Sequence, residues 1–127
     1  MTYSFSKRSL SKLQDVHPKM VLLMMEAIKT SPIDFCITCG VRTLETQKQM
    51  YKLKRSKCDG IVKKSNHQVK KDGFSYAVDI VSYPVDWSKE KFKILANHIK
   101  ATAKALNIKI RWGGDFTMVD MPHFELV

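Results

Sequence analysis

This 127-residue sequence predicts an α+β fold, with a small central antiparallel sheet and helices packed around it. Three observations carry that prediction. Apolar residues recur at helical spacing in the first quarter of the chain and again after Trp87. Short β-prone runs stand at Asp34–Cys39, Tyr76–Ser82, Ile108–Trp112 and Pro122–Val127. Helices come first and strands are then mixed among helices, which points to α+β packing.

Leu10 and Leu13 lie in a short polar segment suited to a helical turn. Asp15 ahead of Pro18 fits a helix opening on an acidic cap with proline in its first turn. Met20, Val21, Leu23, Met24, Ala27 and Ile28 then give one apolar face, the methionines serving as core filler. His17 reads as a capping or surface residue, and Ser31-Pro32 ends the helix. The first strand follows, with Gly40 at its exit. Thr43 is placed to cap the next helix, Glu45 suits its first turn, and Leu44, Gln47 and Tyr51 share a face. Arg42 therefore sits on a strand-to-helix loop, where scaffolds carry function, although spacing alone favours a surface salt bridge. Arg55 to Asp72 is polar, lysine-rich and contains Gly60, which predicts a long loop running into His67. After the second strand, Pro84 and Trp87 make a turn and Ser88 caps a further helix. Phe92, Leu95, Ala96, Ile99, Ala103 and Leu106 give that helix the strongest amphipathic pattern in the chain. His98 falls off the stripe and is expected to face solvent. Asn107 stops the helix, Ile108–Trp112 alternates as a half-buried strand, Gly113-Gly114-Asp115 turns, and Pro122–Val127 closes the sheet.

A single domain over residues 1–127 is expected from the length. The chain is 44% apolar and 27% charged, a soluble and globular balance, and no apolar run is long enough to span a bilayer. Its N-terminus lacks the apolar core of a secretory signal, so synthesis in the cytoplasm is expected. A formal net charge of +10 implies an anionic partner: nucleic acid, an acidic membrane surface or a charged wall polymer. Three cysteines give no disulfide framework. Cys36 and Cys39 lie three apart on a strand and should point to opposite faces, so both are expected to be ordinary reduced thiols with Cys58.

The chemistry concentrates between Ser65 and Asp79 and around His123. Asp79 lies inside the apolar run Ala77-Val78-Asp79-Ile80-Val81, where a bare carboxylate would cost several kcal/mol. A metal ion would satisfy it, with His67 and His123 as co-ligands. Two imidazoles and one carboxylate leave one position open on a tetrahedral zinc, the stoichiometry of a hydrolytic site. Asp120, three residues before His123 and across Pro122, is placed to exchange a proton with water activated there.

These motifs resemble the M15 family of zinc peptidases, which contains D-alanyl-D-alanine carboxypeptidases and dipeptidases and phage L-alanyl-D-glutamate endolysins. The resemblance covers nearly the whole chain. It rests on Ser65-Asn66-His67, Ala77-Val78-Asp79, Trp112-Gly113-Gly114-Asp115, Asp120-Met121-Pro122-His123-Phe124, and Gly40-Val41-Arg42-Thr43 followed by Gln47. The opening Phe5-Ser6-Lys7-Arg8-Ser9-Leu10 is similar to the start of small endolysin-type members. The resemblance implies zinc on a small sheet, bound by His67, Asp79 and His123, with Asp120 as general base and acid. It implies that Arg42 steadies the charge developing on the scissile carbonyl, and that Ser65 and Gln47 contact substrate. An aspartate at position 120, the short chain and the missing signal sequence lean towards the endolysin side.

The implied activity is a zinc-dependent peptidoglycan peptidase cutting a stem-peptide bond, expected at L-alanyl-D-glutamate. Cleavage at D-alanyl-D-alanine is the enzyme alternative, and a metal-free basic module binding cell wall or nucleic acid is the alternative from another class. For the enzyme the expected partner is bacterial peptidoglycan, with an anionic wall polymer or lipopolysaccharide favoured by the charge. No nucleic acid is expected, the chain is expected to be a monomer, and it would reach the wall through holin-type release. Two features depart from the family pattern. Eleven residues, Gln68 to Val78, separate His67 from Asp79, an insertion of about five that must bulge beside the site. Cys39 stands where relatives often have glutamate.

Overall fold

The computed structural model describes residues 2–127. Its helices are α1 (Lys7–Lys12), α2 (Pro18–Thr30), α3 (Leu44–Lys52) and α4 (Lys89–Ala105). Its strands are β1 (Phe35–Cys39), β2 (Ala77–Ser82), β3 (Ile110–Trp112) and β4 (His123–Leu126). The strands form one sheet in the order β1-β2-β4-β3, and every neighbouring pair is antiparallel. The α+β prediction holds, with strand ends shortened by a residue or two where side chains leave the ladder.

One face of the sheet builds the core. Val78, Ile80, Phe124 and Leu126 pack with Met20, Leu23, Met24 and Ile28 of α2 and with Phe92, Leu95 and Ile99 of α4. Helices α2 and α4 lie against each other, and α4 also meets β2 and β3. Each large side chain buried this way contributes about 1.5–3 kcal/mol. Because successive strand residues point to opposite faces, Asp79, His123 and Glu125 are turned to the other side, away from the helices.

The caps divide into expected and unexpected. Thr43 and Ser88 cap α3 and α4 as predicted, their hydroxyls accepting from the amides of Thr46 and Lys91. Asp15 does not cap α2. It takes a positive φ of 60°, closing the turn after α1, and His17 Nδ1 accepts from the Lys19 amide instead. Asn107, at φ 57°, ends α4 as expected, since asparagine tolerates the left-handed conformation. His98 is not solvent-facing. Its Nε2 is 2.9 Å from the Ala27 carbonyl and 3.3 Å from Thr30 Oγ1, so it ties α4 to α2. The face of α3 shared by Leu44, Gln47 and Tyr51 does not pack as a unit: Leu44 and Tyr51 are exposed and only Gln47 is buried.

Residues 53–76 carry no helix or strand, as the sequence implied, yet side chains brace them throughout. Gln47 donates to Ser56 Oγ and the Cys58 carbonyl, and Asp59 accepts from the amides of Ile61, Val62 and Lys63. Gln68 bridges the Ser65 amide and the Gly60 carbonyl. The inserted residues form a tight turn closed between Lys70 and Phe74, with Gly73 at φ 88°. That excursion is clipped at its base by the Tyr76 amide on the Asn66 carbonyl. It is held against the start of α2 by reciprocal bonds of Ser75 with Asp15 and His17. These bonds hold both ends of the excursion in place.

Candidate metal centre and active site

Asp79 and His123 are direct cross-strand partners on β2 and β4, which sets their side chains next to each other on the open face. His67 joins them from the braced loop. Its ring is fixed by Gly40, whose carbonyl lies 2.8 Å from His67 Nδ1. Gly40 must be glycine, because a Cβ there would collide with the Lys12 carbonyl at the end of α1.

The tautomers follow from these contacts. A carbonyl oxygen only accepts, so His67 Nδ1 carries the hydrogen and Nε2 presents its lone pair. His123 Nε2 lies 2.7 Å from Glu125 Oε1. Burial would raise the Glu125 pKa, but hydrogen bonds from His123 and Asn66 hold it below its ordinary value. An ionised Glu125 accepts, so His123 Nδ1 is left with a lone pair. His67 Nε2, His123 Nδ1 and Asp79 Oδ1 then face one another at 3.1, 3.2 and 3.4 Å. Three acceptors that close need a cation between them. Zinc bonds of about 2.0–2.2 Å in tetrahedral array give ligand-to-ligand edges of roughly 3.3–3.5 Å, so this donor set fits zinc in size as well as chemistry.

A proton can answer part of the same need. Burial lowers the His67 pKa, but hydrogen bonds to Asp79 and Cys39 outweigh it and hold the group at about 10. Asp79 is correspondingly pushed down, because His123 and His67 overcome its own burial.

Arg42 and Asp120 flank the triangle. The Arg42 amide donates to the His67 carbonyl at 2.7 Å, and one guanidinium nitrogen donates to Gln47 Oε1 at 2.8 Å. The other terminal nitrogen reaches to 3.8 Å from Asp79 Oδ2. Asp120 Oδ2 stands 3.9 Å from His123 Nδ1, and the Asp120 side chain is half exposed. Burial, and then the charge of Asp79, raise its pKa. The loop that carries it is held at both sides: the Asp120 amide donates to the Gly113 carbonyl, and Trp112 Nε1 donates to the Met121 carbonyl. A Cβ on Gly113 would strike the Asp120 carbonyl, and one on Gly114 would strike the Trp112 ring. The two glycines therefore exist to let this loop close.

Ser65 is buried and its hydroxyl accepts from the His67 amide at 3.1 Å. Gln47 is fully buried, with its amide shared among Arg42, Ser56 and Cys58.

Three residues beside the centre were not foreseen in these places. Glu125 orients His123, and its signal was legible: two residues apart on a strand means the same face. Cys39 was expected to be an ordinary reduced thiol, facing away from Cys36. It is free, but Sγ lies 3.8 Å from His67 Nδ1, and Cys39, His67 and Asp79 can bring ligand atoms within 4.8 Å of one another. The register shifts between Ile37 and Cys39, which breaks the simple alternation used to place it. Its sulfur meets the outer nitrogen of His67, on the side already bonded to Gly40. Phe116 lies 5.7 Å from the His123 ring, and nothing in its local sequence marks it.

Comparisons with known proteins find similarity over nearly the whole chain. A family profile described as phage L-alanyl-D-glutamate peptidase matches residues 1–127. The L-alanyl-D-glutamate peptidase of Escherichia phage T5 is 28% identical over 130 residues, covering 99% of this chain and 90% of that protein. The crystal structure of Serratia marcescens L-Ala D-Glu endopeptidase ChiX superposes with a TM-score of 0.83 at 28% identity. That match covers 98% of this chain and 90% of the other.

Proposed function

The chain belongs to the phage L-alanyl-D-glutamate peptidase family, and from that premise we propose that it is a zinc-dependent peptidoglycan peptidase cutting the L-alanyl-D-glutamate bond. The observation that carries the zinc assignment is the convergence of His67 Nε2, His123 Nδ1 and Asp79 Oδ1 within 3.4 Å of one another. Zinc held by these three supplies a Lewis acid that acidifies water and polarises a carbonyl.

The chain's own groups do the rest. Asp120, half exposed beside His123, takes the proton from the attacking water as its oxygen bonds to the carbonyl carbon. It then delivers that proton to the amine nitrogen as the carbon–nitrogen bond breaks. Arg42 directs its free guanidinium edge at the carbonyl oxygen and steadies the negative charge that gathers there. Gln47 acts through Arg42, which it grips, and Ser65 acts through the backbone of His67. This reading gives both a positioning role in place of direct substrate contact. The whole chain serves as one catalytic domain. It acts on the bacterial wall, reached from the cytoplasm through a separately made pore.

Digestion of purified muropeptides, read by mass spectrometry, tests bond choice: fragments ending in L-alanine are expected, and release of free D-alanine would place the cut elsewhere. His123→Ala should abolish cleavage and lower the zinc content. Asp120→Ala should retain zinc and lose at least a hundredfold in kcat. Stoichiometric zinc is expected in protein purified without added metal, and its absence would favour a binding module.

A further inference from the structure

The face that carries the metal ligands continues past them towards the β3 edge. Arg111 on β3 pairs directly with Glu125 on β4, so it projects to the side of His123 and not into the core. Its guanidinium stands 4.8 Å over the ring of Phe116, and that ring is 5.7 Å from the imidazole of His123. Arg111 makes one long ion pair, with Glu125, and no hydrogen bond to it. Glu125 Oε2 is 3.8 Å away, beyond hydrogen-bond reach, and the other oxygen of Glu125 is taken by His123 at 2.7 Å. The Arg111 side chain remains 61% exposed.

Arg111 lines a groove of about 660 Å³ together with Lys104, Lys109 and Phe116. The acid in that groove, Asp115, is held by Lys100 at 2.8 Å. The groove thus carries a surplus of positive charge, with Lys104 and Lys109 beside an Arg111 that Glu125 meets only at long range, and it begins one aromatic ring from His123.

The proposed substrate supplies the missing charge. A D-glutamyl residue joined onward through one carboxyl keeps the other free, only a few bonds from the amide nitrogen released by cleavage. Resting on the function proposed above, we infer that Arg111, stacked on Phe116, holds this free carboxylate and makes the enzyme select acidic over amidated stem peptides. The planar guanidinium meets both oxygens of a carboxylate, whereas a carboxamide turns an N–H against its donors. Lys104 and Lys109 extend the positive field along the leaving peptide. An anionic wall polymer would not require the stack to stand beside His123.

The test uses two soluble muropeptides that differ only in this carboxyl, free in one and a carboxamide in the other. The parent enzyme should cleave the acid form with kcat/KM about tenfold higher, the range of one charge-assisted hydrogen-bond pair. Arg111→Ala should erase the preference by raising KM for the acid form, with the amidated form nearly unchanged and zinc content intact. Arg111→Lys should keep part of the preference. The inference is overturned if the parent shows no preference, or if Arg111→Ala slows both substrates equally, as a role in orienting Glu125 would. It is also overturned if the variant loses only binding to intact walls, which would assign the groove to a wall polymer. If the parent releases no fragment cut between L-alanine and D-glutamate, the proposed function fails together with this inference. A parent that cuts there without preferring the acid form sinks the groove assignment alone.

Discussion

At the scale of single residues, the centre depends on groups that hold other groups. Glu125 fixes the tautomer of His123, so Glu125→Gln should weaken zinc binding by about 10–100-fold while leaving the fold intact. Competition with a coloured chelator measures it. The His67 proton gives a second prediction, with opposite signs for protein and metal. In zinc-free protein the raised pKa of His67 contributes stability that is complete below its unfolded value of 6.5. That contribution is lost as pH rises towards about 10. Zinc needs the same lone pair, so its affinity should climb over that range as the proton leaves. Melting temperatures with and without zinc at several pH values should therefore diverge upward in pH. The convergence of His67, Asp79 and His123 was legible because a carboxylate inside an apolar strand needs a partner. Cys39 was not, because a local register shift is invisible in residue spacing.

At the scale of elements, the loop bearing Asp120 is shaped by what glycine permits. Gly113→Ala should push the Asp120 carbonyl away and lower kcat at least tenfold, with zinc content largely retained, because His67 and Asp79 sit on other anchors and His123 is held by its strand pairing. Steady-state kinetics beside metal analysis would separate that from loss of the site. Strand positions and the helices α2 and α4 were readable from periodicity, since burial on one face leaves a repeat. Helix α3 misled for the opposite reason. Its organising residue is a buried glutamine that braces a loop and the Arg42 side chain, and hydrogen-bond partners leave no repeat in a sequence. Asp15 misled through its residue type: an acid before a proline suits a cap, but it was used for the left-handed turn that closes α1.

At the scale of the whole molecule, the charge of +10 should govern the approach to anionic walls more than the chemistry. Raising salt from about 50 to 200 mM shortens the screening length from roughly 14 to 7 Å, so lysis of intact walls should slow markedly. Cleavage of a small neutral peptide substrate should change little, and parallel assays would show the difference. Strand β4 has a consequence of its own. It alternates between His123 and Glu125 on one side and Phe124 and Leu126 on the other, wedged between β2 and β3. Sliding it by one position would drive an imidazole into the oily interior and leave a phenyl ring among the would-be ligands. Proofreading of the sheet and assembly of the catalyst are thus one event, and a misaligned but durable impostor has no way to persist.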